Sequence, residues 1–520
     1  MLTMENLILV VDIGTQSTRA SIVSDRGEIK IIKVEKYEKP YLTPKNGYVE
    51  QHPDFYYDAI KKCTLAIKEE APELMKAIKS MVIAAFRDTA CYLDEDKNVV
   101  RNSVLWLDQR SAKLEKKMYW YENLIFAISG MTNTVIFNRK RTPALWVQEN
   151  EPEIWKKTRY YVPLTTYWNY KLTGELKDSN ASVIGHYPIN FKKGKWYGKH
   201  HYRTHMFNVP LDKFCPLVEV GGIIGTVTPE ASIETGIPAG TKLIASGTDK
   251  TCEVLGNGVL ENNEGAISYG TACCIDVPNR KYRAPEPFLP AYKAPVKNMY
   301  DLEVQIYRGY WMLKWFIKEF ASLEEQQAKL NSLSVEDLLD REILNIEPGC
   351  NGLVLQPYWG PGLRRPLARG SIVGFSDCHT KYHVYRAIIE GIAFALREGM
   401  ESIQSATRKK VKHLVVSGGG SKNDIVAQIT ADIFNLPVKK TETVESCTIG
   451  AAISGFIAEG VFKTPSEAKT AMVRYVKEFT PNPEAVKKYE YLYKKIYKKI
   501  YPKLNECYSK LKEFSNDEIL

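Results

Sequence analysis

Nowhere do these 520 residues line up the roughly 20 consecutive apolar side chains of a bilayer-spanning helix, so no such helix is expected. The first apolar run begins at Leu7, with no basic stretch before it and no small-residue cleavage site behind it. That argues against a secretory leader and for the cytoplasm. Ten cysteines are present, yet no C-x-x-C occurs, and their spacing suits neither a zinc site nor a disulfide framework. Reduced, mostly buried thiols are expected, among them the adjacent Cys273 and Cys274 in an apolar run. Solenoid repeats and low-complexity tracts are missing. So are the G-x-x-x-x-G-K-[ST] phosphate loop and the G-x-G-x-x-G fingerprint, which removes two common nucleotide-binding folds.

What is there reads as a globular protein, with 44% hydrophobic and 25% charged residues. The length exceeds what one core organises, so two large domains are expected. A net charge of +10 raises the question of nucleic acid. The basic residues are dense in the last 35 positions, where lysines alternate with tyrosines. Tyr489, Tyr493, Tyr497 and Tyr501 recur every fourth residue, with Leu492, Ile496, Ile500 and Leu504 in the next row. This spacing predicts an amphipathic helix packed on the protein body, rather than a nucleic-acid or membrane surface. Pro502 is expected to kink or break it.

Leu7 to Asp12 and Arg19 to Val23 read as strands around a small-residue turn, Gly14 to Ser17. Asp25-Arg26-Gly27 turns the chain into a third strand, Glu28 to Val34. Pro53 opens a helix with Tyr56, Ile60, Cys63 and Ile67 on one face. Met81 to Ala85 and Val104 to Leu107 are further short strands. Some 250 residues downstream the punctuation returns: Ala266 to Tyr269, the turn Gly270-Thr271, then Cys273 to Val277. Two such hairpins suggest two related domains, joined at the polar Glu261-Asn262-Asn263-Glu264. The expected division is 1–261 and 262–520, with C-terminal helices from about residue 465. Helices are expected near Tyr310–Phe320, His383–Ser405 and Asp424–Asn435, with a strand at His413–Ser417. Gly185 to Pro216 is expected to be irregular.

Four clusters carry chemistry. Asp12 ends a strand before Gly14, Thr15, Gln16 and Ser17, a turn able to offer backbone N–H groups to phosphate while the carboxylate holds hydrated Mg²⁺. Gly270 and Thr271 would supply the matching clamp. Gly418, Gly419 and Gly420 lie between a strand and a helix and let an adenosine approach the backbone, with Asn423 close behind. Asp249 follows the apolar strand Lys242 to Ala245 inside G-T-D-K-T. It is a candidate general base for an acceptor hydroxyl, or equally the N-cap of the helix that follows. Arg87, Asp88 and Trp106 follow short strands and offer paired donors, acceptors and an aromatic face to a sugar, whereas Asp108 and Arg110 read as a structural ion pair.

Taken in order, D-I-G-T-Q-S, W-L-D-Q-R, L-T-G at Leu172 to Gly174, G-T-D, Y-G-T, S-G-G-G-S-K-N-D and the late G-A-A resemble the FGGY family of carbohydrate kinases over nearly the whole chain. The resemblance implies two actin-like, ribonuclease H-type domains facing a cleft. The N-terminal domain would hold substrate and the C-terminal domain ATP. It also implies Mg²⁺-ATP as donor, with Asp12 and Asp249 as metal ligands and Asp249 as the base. The acceptor would be a primary hydroxyl of a small ketose or polyol. Phe86-Arg87-Asp88-Thr89 is similar to the glycerol kinase branch, but Lys250 follows the base where Asn or Gln is usual. Thr142-Pro143-Ala144-Leu145 lacks a customary lysine, and Thr165-Thr166 stands in place of an aspartate. Lys250 would grip a carboxylate or phosphate of the substrate, or pair with Asp249. A glycerol-like polyol, a xylulose-like ketose and a sugar acid therefore stay open. Two other classes compete: an actin-like nucleotide switch, which needs no sugar-gripping residues, and a catalytically silent sugar sensor, against which Asp12 and Asp249 argue. A homodimer is left open.

Overall fold

Alternation of apolar and polar residues after the first strand builds a meander, and the same device is used twice. In the computed structural model, which describes residues 5–286, 289–360, 362 and 365–514, two large mixed sheets share the order of five strands. In the first, Leu7–Ile13 sits centrally, with Ser17–Ser24 and Ile29–Lys36 antiparallel on one side. Ser80–Ala85 and Lys242–Ile244 run parallel on the other side, and Ile223–Thr226 closes the edge antiparallel. In the second, Glu264–Tyr269 is central, flanked by Cys273–Asn279 and Tyr300–Ile306 on the meander side. His413–Ser417 and Val438–Thr441 are its parallel neighbours, with Tyr475–Phe479 antiparallel at the edge. The paired Gly-Thr hairpins are thus equivalent elements of equivalent sheets.

The helices Asp249–Gly256 and Ser446–Ala458 fill the space between the sheets. Val254 packs with Ala266 and Val415 of the second sheet, while Ile449, Ala452 and Ile453 pack with Ile8, Val10 and Val82 of the first. They cross with backbones touching: a Cβ on Gly256 would lie 1.8 Å from the Ser446 carbonyl oxygen, and one on Gly450 1.8 Å from that of Cys252. The small residues Gly450, Ala451 and Ala452 suit close packing of this kind.

Most expected elements are present. The helix opened by Pro53 runs Pro53–Glu70 and buries Tyr56, Ile60, Cys63 and Ile67. The long helix is Lys381–Thr407, and Asp424–Phe434 is capped by Asn435 in the left-handed region. Val104 to Leu107 is not a four-residue strand: only Ser103–Val104 pairs, with Glu50–Gln51, before the chain turns to bring Trp106 and Asp108 inward. The tyrosine stripe is buried at Tyr489, Tyr493 and Tyr497, against Phe394 of the long helix at 5.2–5.9 Å between ring centroids. Pro502 does not break the helix, which continues to Phe514. A π-turn at Tyr493–Tyr497 stands just upstream. Among the described residues no helix is long and apolar enough to cross a membrane.

Candidate functional site

Parallel strands deliver their carboxyl ends to one side of a sheet, and both sheets turn that side toward the same cleft. Asp12 sits one residue from the end of its strand, in register with Ala84 of the parallel neighbour, so Arg87 and Asp88 emerge beside it. Lys242–Ile244 pairs with that neighbour in turn and leads to Asp249. In the second sheet Ser268 pairs with Ser417, which places Gly270 and Gly418 side by side.

A cavity of about 350 Å³ is lined by Gly14, Thr15, Gln16, Ser17, Arg87, Asp88, Trp106, Asp249, Lys250 and Thr271. The two hairpin turns, the candidate base and the candidate sugar-contacting residues therefore share one enclosure. Gly418, Gly419, Gly420 and Asn423 do not line it; they form the loop after His413–Ser417, next door to Gly270.

The N-cap of the Asp249 helix is Thr248, whose hydroxyl accepts from the Thr251 N–H. Asp249 is thereby released from the capping role that the sequence allowed it. Its Oδ1 accepts the Lys250 N–H at 2.8 Å, and burial raises its pKa, opposed by the nearby charges of Lys250 and Arg87. Asp12 is pushed up to about 6 by burial, with Arg19 opposing and Asp249 adding repulsion. Two enclosed carboxylates that repel one another make a hard-oxygen donor set, the chemistry that suits a hydrated Mg²⁺.

Lys250 does not pair with Asp249. Its ammonium donates to Glu253 at 2.9 Å and to Ser268 Oγ at 2.7 Å. Glu253 also accepts from the Ser417 and Ser268 hydroxyls, so a buried charge pair ties the base helix to two strands of the second sheet. The Lys250–Glu253 spacing of three on a helix was a legible signal.

Arg87 reaches across the cleft. One guanidinium nitrogen bonds Glu303 of the second sheet, the group lies over the Tyr292 ring, and Nη1 is buried without a partner. Glu303 lies beside Asp276 and Asp301, whose pKa values are raised well above the carboxylate range by burial and by Glu303, which favours their neutral forms. Asp88 adopts a φ of +59° and accepts from the His186 backbone at 2.9 Å, with His186 Nδ1 at 2.8 Å. Trp106 is held by its indole N–H to Thr15 Oγ1 at 3.0 Å. Asp108 and Arg110 form the structural pair expected, bidentate at 2.8 Å and joined by Glu50. Thr165 and Thr166 both donate to Asp178, which returns a carboxylate to that position from elsewhere in the chain.

The three consecutive glycines have separate reasons. Gly418 has φ +82°, and a Cβ on Gly420 would strike the Tyr310 ring at 2.2 Å, so both are demanded by the fold. Only Gly419 faces open space. Asn423 caps the following helix through Oδ1 to the Ile425 N–H at 2.8 Å. Residues that the sequence reading passed over are Glu303, Tyr292, Gln305, His186 and Arg141; no local pattern marks them, because each is brought in from a separate element.

The family models "FGGY family of carbohydrate kinases, N-terminal domain" and "C-terminal domain" match residues 7–256 and 265–459. The chain belongs to the FGGY family. Among its relatives, a xylulose kinase of Bacillus subtilis is 29% identical over 94% of this chain and 95% of its own. A gluconokinase of Bacillus licheniformis is 26% identical over 94% of each. A solved gluconate kinase of Lactobacillus acidophilus superposes with a TM-score of 0.81 at 22% identity, covering 98% of this chain and all of its own. The fold is the two-domain actin-like architecture that the motifs implied. As an FGGY member this is an ATP-dependent carbohydrate kinase, a phosphotransferase with an alcohol acceptor, which sets aside the nucleotide-switch and silent-sensor readings.

Proposed function

We propose that this FGGY kinase phosphorylates a primary hydroxyl of a small ketose, polyol or sugar acid, with Asp249 as general base. The observation that supports it is the single cavity shared by Asp249, both Gly-Thr turns, Arg87, Asp88 and Trp106. Asp249 takes the hydroxyl proton as the bond to phosphorus forms, and Lys250 and Arg87 keep its carboxylate ionised against the cost of burial. Backbone N–H groups of the turns at Gly14–Ser17 and Gly270–Thr271 hold phosphate oxygens from opposite sides, and Gly419 admits the nucleoside. Asp12 and Asp249 would hold Mg²⁺, which when bound neutralises charge on the phosphates. Arg87 Nη1, Asp88 and the Trp106 face meet the acceptor, while Lys250 acts chiefly by fixing the base helix and its field. The residues 1–261 form the acceptor-binding half and 262–520 the nucleotide-binding half.

The test is Asp249→Asn. Coupled ADP release should fall by about 10³-fold or more, with ATP affinity by calorimetry changed little. Near-normal turnover would remove the base. In the native protein kcat/KM should begin to fall at a higher pH than an ordinary aspartate would dictate, since burial raises Asp249 and its protonated form takes no proton.

A further inference from the structure

A small annex of about 40 Å³ shares Asp88 and Trp106 with the site cavity as wall residues and adds Arg141, His186 and Thr142. Arg141 follows the helix Thr132–Lys140 and immediately precedes Thr142-Pro143-Ala144-Leu145, the stretch where the sequence departs from its family. The carboxylates closest to it in this wall are committed elsewhere: Asp108 is engaged by both arms of Arg110 and by the Val49 N–H, and Asp88 by His186. Among the described residues no ion pair or hydrogen bond engages the Arg141 guanidinium. Burial lowers its pKa, and a second cation, Arg308, adds repulsion. Arg308 lies over the Trp311 ring at 5.1 Å and likewise has no carboxylate partner among the described residues. Two half-buried arginines, neither paired with an anion among the described residues, favour an anion from outside.

We propose that Arg141 reads a carboxylate at the end of the acceptor remote from the phosphorylated hydroxyl, so that the preferred substrate is a sugar acid rather than a neutral ketose or polyol. The inference rests on the kinase reading above and narrows it. A planar guanidinium matches a carboxylate with two parallel hydrogen bonds, and the annex has room for a group of a few heavy atoms. The same geometry explains how Asp88 and His186 contribute: as a mutually satisfied pair they line the passage without competing for the anion.

The experiment is coupled ADP release by the full-length chain on aldonic acids of four to six carbons, each matched with the alditol of the same skeleton, and on the corresponding sugar phosphates. The native enzyme should favour the acid at least tenfold in kcat/KM, with a KM for the acid that rises with ionic strength. Arg141→Leu should lose 10- to 100-fold on the acid, mainly in KM, a loss at least ten times that on the alditol, and Arg141→Lys should recover part of it. Unchanged melting temperatures would certify that both variants fold. Equal losses on acid and alditol, preference for the neutral member, or preference for the sugar phosphate would overturn the carboxylate assignment while leaving the kinase intact. Absence of ADP release with every acceptor would overturn the kinase reading and this inference with it.

Discussion

The two Gly-Thr hairpins are alike in backbone and different in charge. The first carries Asp12 one residue before its strand ends; the second carries Ser268 at the same position, and Ser268 holds the Lys250 ammonium. Duplicated scaffolding is thus given a carboxylate in one hairpin and, in the other, a neutral hydroxyl that bridges Lys250 and Glu253. In the proposed mechanism both turns hold phosphate oxygens, and only the first brings a carboxylate for a metal as well. Symmetry supplies position, and single substitutions at matched sites supply chemistry.

The largest way to break this pairing is Lys250→Met, which strands Glu253 in the interior. Unfolding free energy should drop by about 4 kcal/mol in denaturant titration. The double variant Lys250→Met/Glu253→Gln should recover most of it, and a failure to recover would mean that the pair is not coupled. Next is Gly450→Ala, whose Cβ meets the Cys252 carbonyl oxygen and forces the two central helices apart. It should cost about 3 kcal/mol and shift the cleft geometry seen by small-angle scattering.

Asp12→Asn runs the other way. The native carboxyl has a folded pKa of about 6 against an unfolded value of 3.8, so its ionisation opposes folding above pH 6 and not below pH 4. The variant should gain on the order of 2 kcal/mol at neutral pH, shrinking toward zero as the pH falls to 4, while turnover is lost. The smallest effect is Gly419→Ala. With open space around its Cβ, stability should change by less than about 0.5 kcal/mol, whereas the KM for ATP should rise. Equal effects on both would place Gly419 with its neighbours, as a residue demanded only by the fold.

Much of this architecture was legible. Short apolar runs broken at Gly14-Thr15 and Gly270-Thr271 mark the hairpins, and the apolar spacing from Tyr56 to Ile67 marks the first helix. These are local signals, set by neighbours in the chain. The site was legible where a motif follows directly on a strand, as with Arg87, Asp88 and Asp249. It was opaque where function depends on partners from distant elements. Nothing near Arg87 announces Glu303, more than 200 residues away, and although the Asp108–Arg110 pair was legible, nothing in it shows that Arg141 is left alone. At Pro502 the expected break does not occur, and the helix runs on to Phe514.

The glycine contact between Asp249–Gly256 and Ser446–Ala458 has a mechanical consequence. At their point of closest approach neither helix presents a side chain, so no knob must climb out of a hole when one rolls over the other. The crossing therefore holds no side-chain interlock to resist a roll of one helix on the other. Because the proposed base is the first residue of one of these helices, such a roll would carry Asp249 with it.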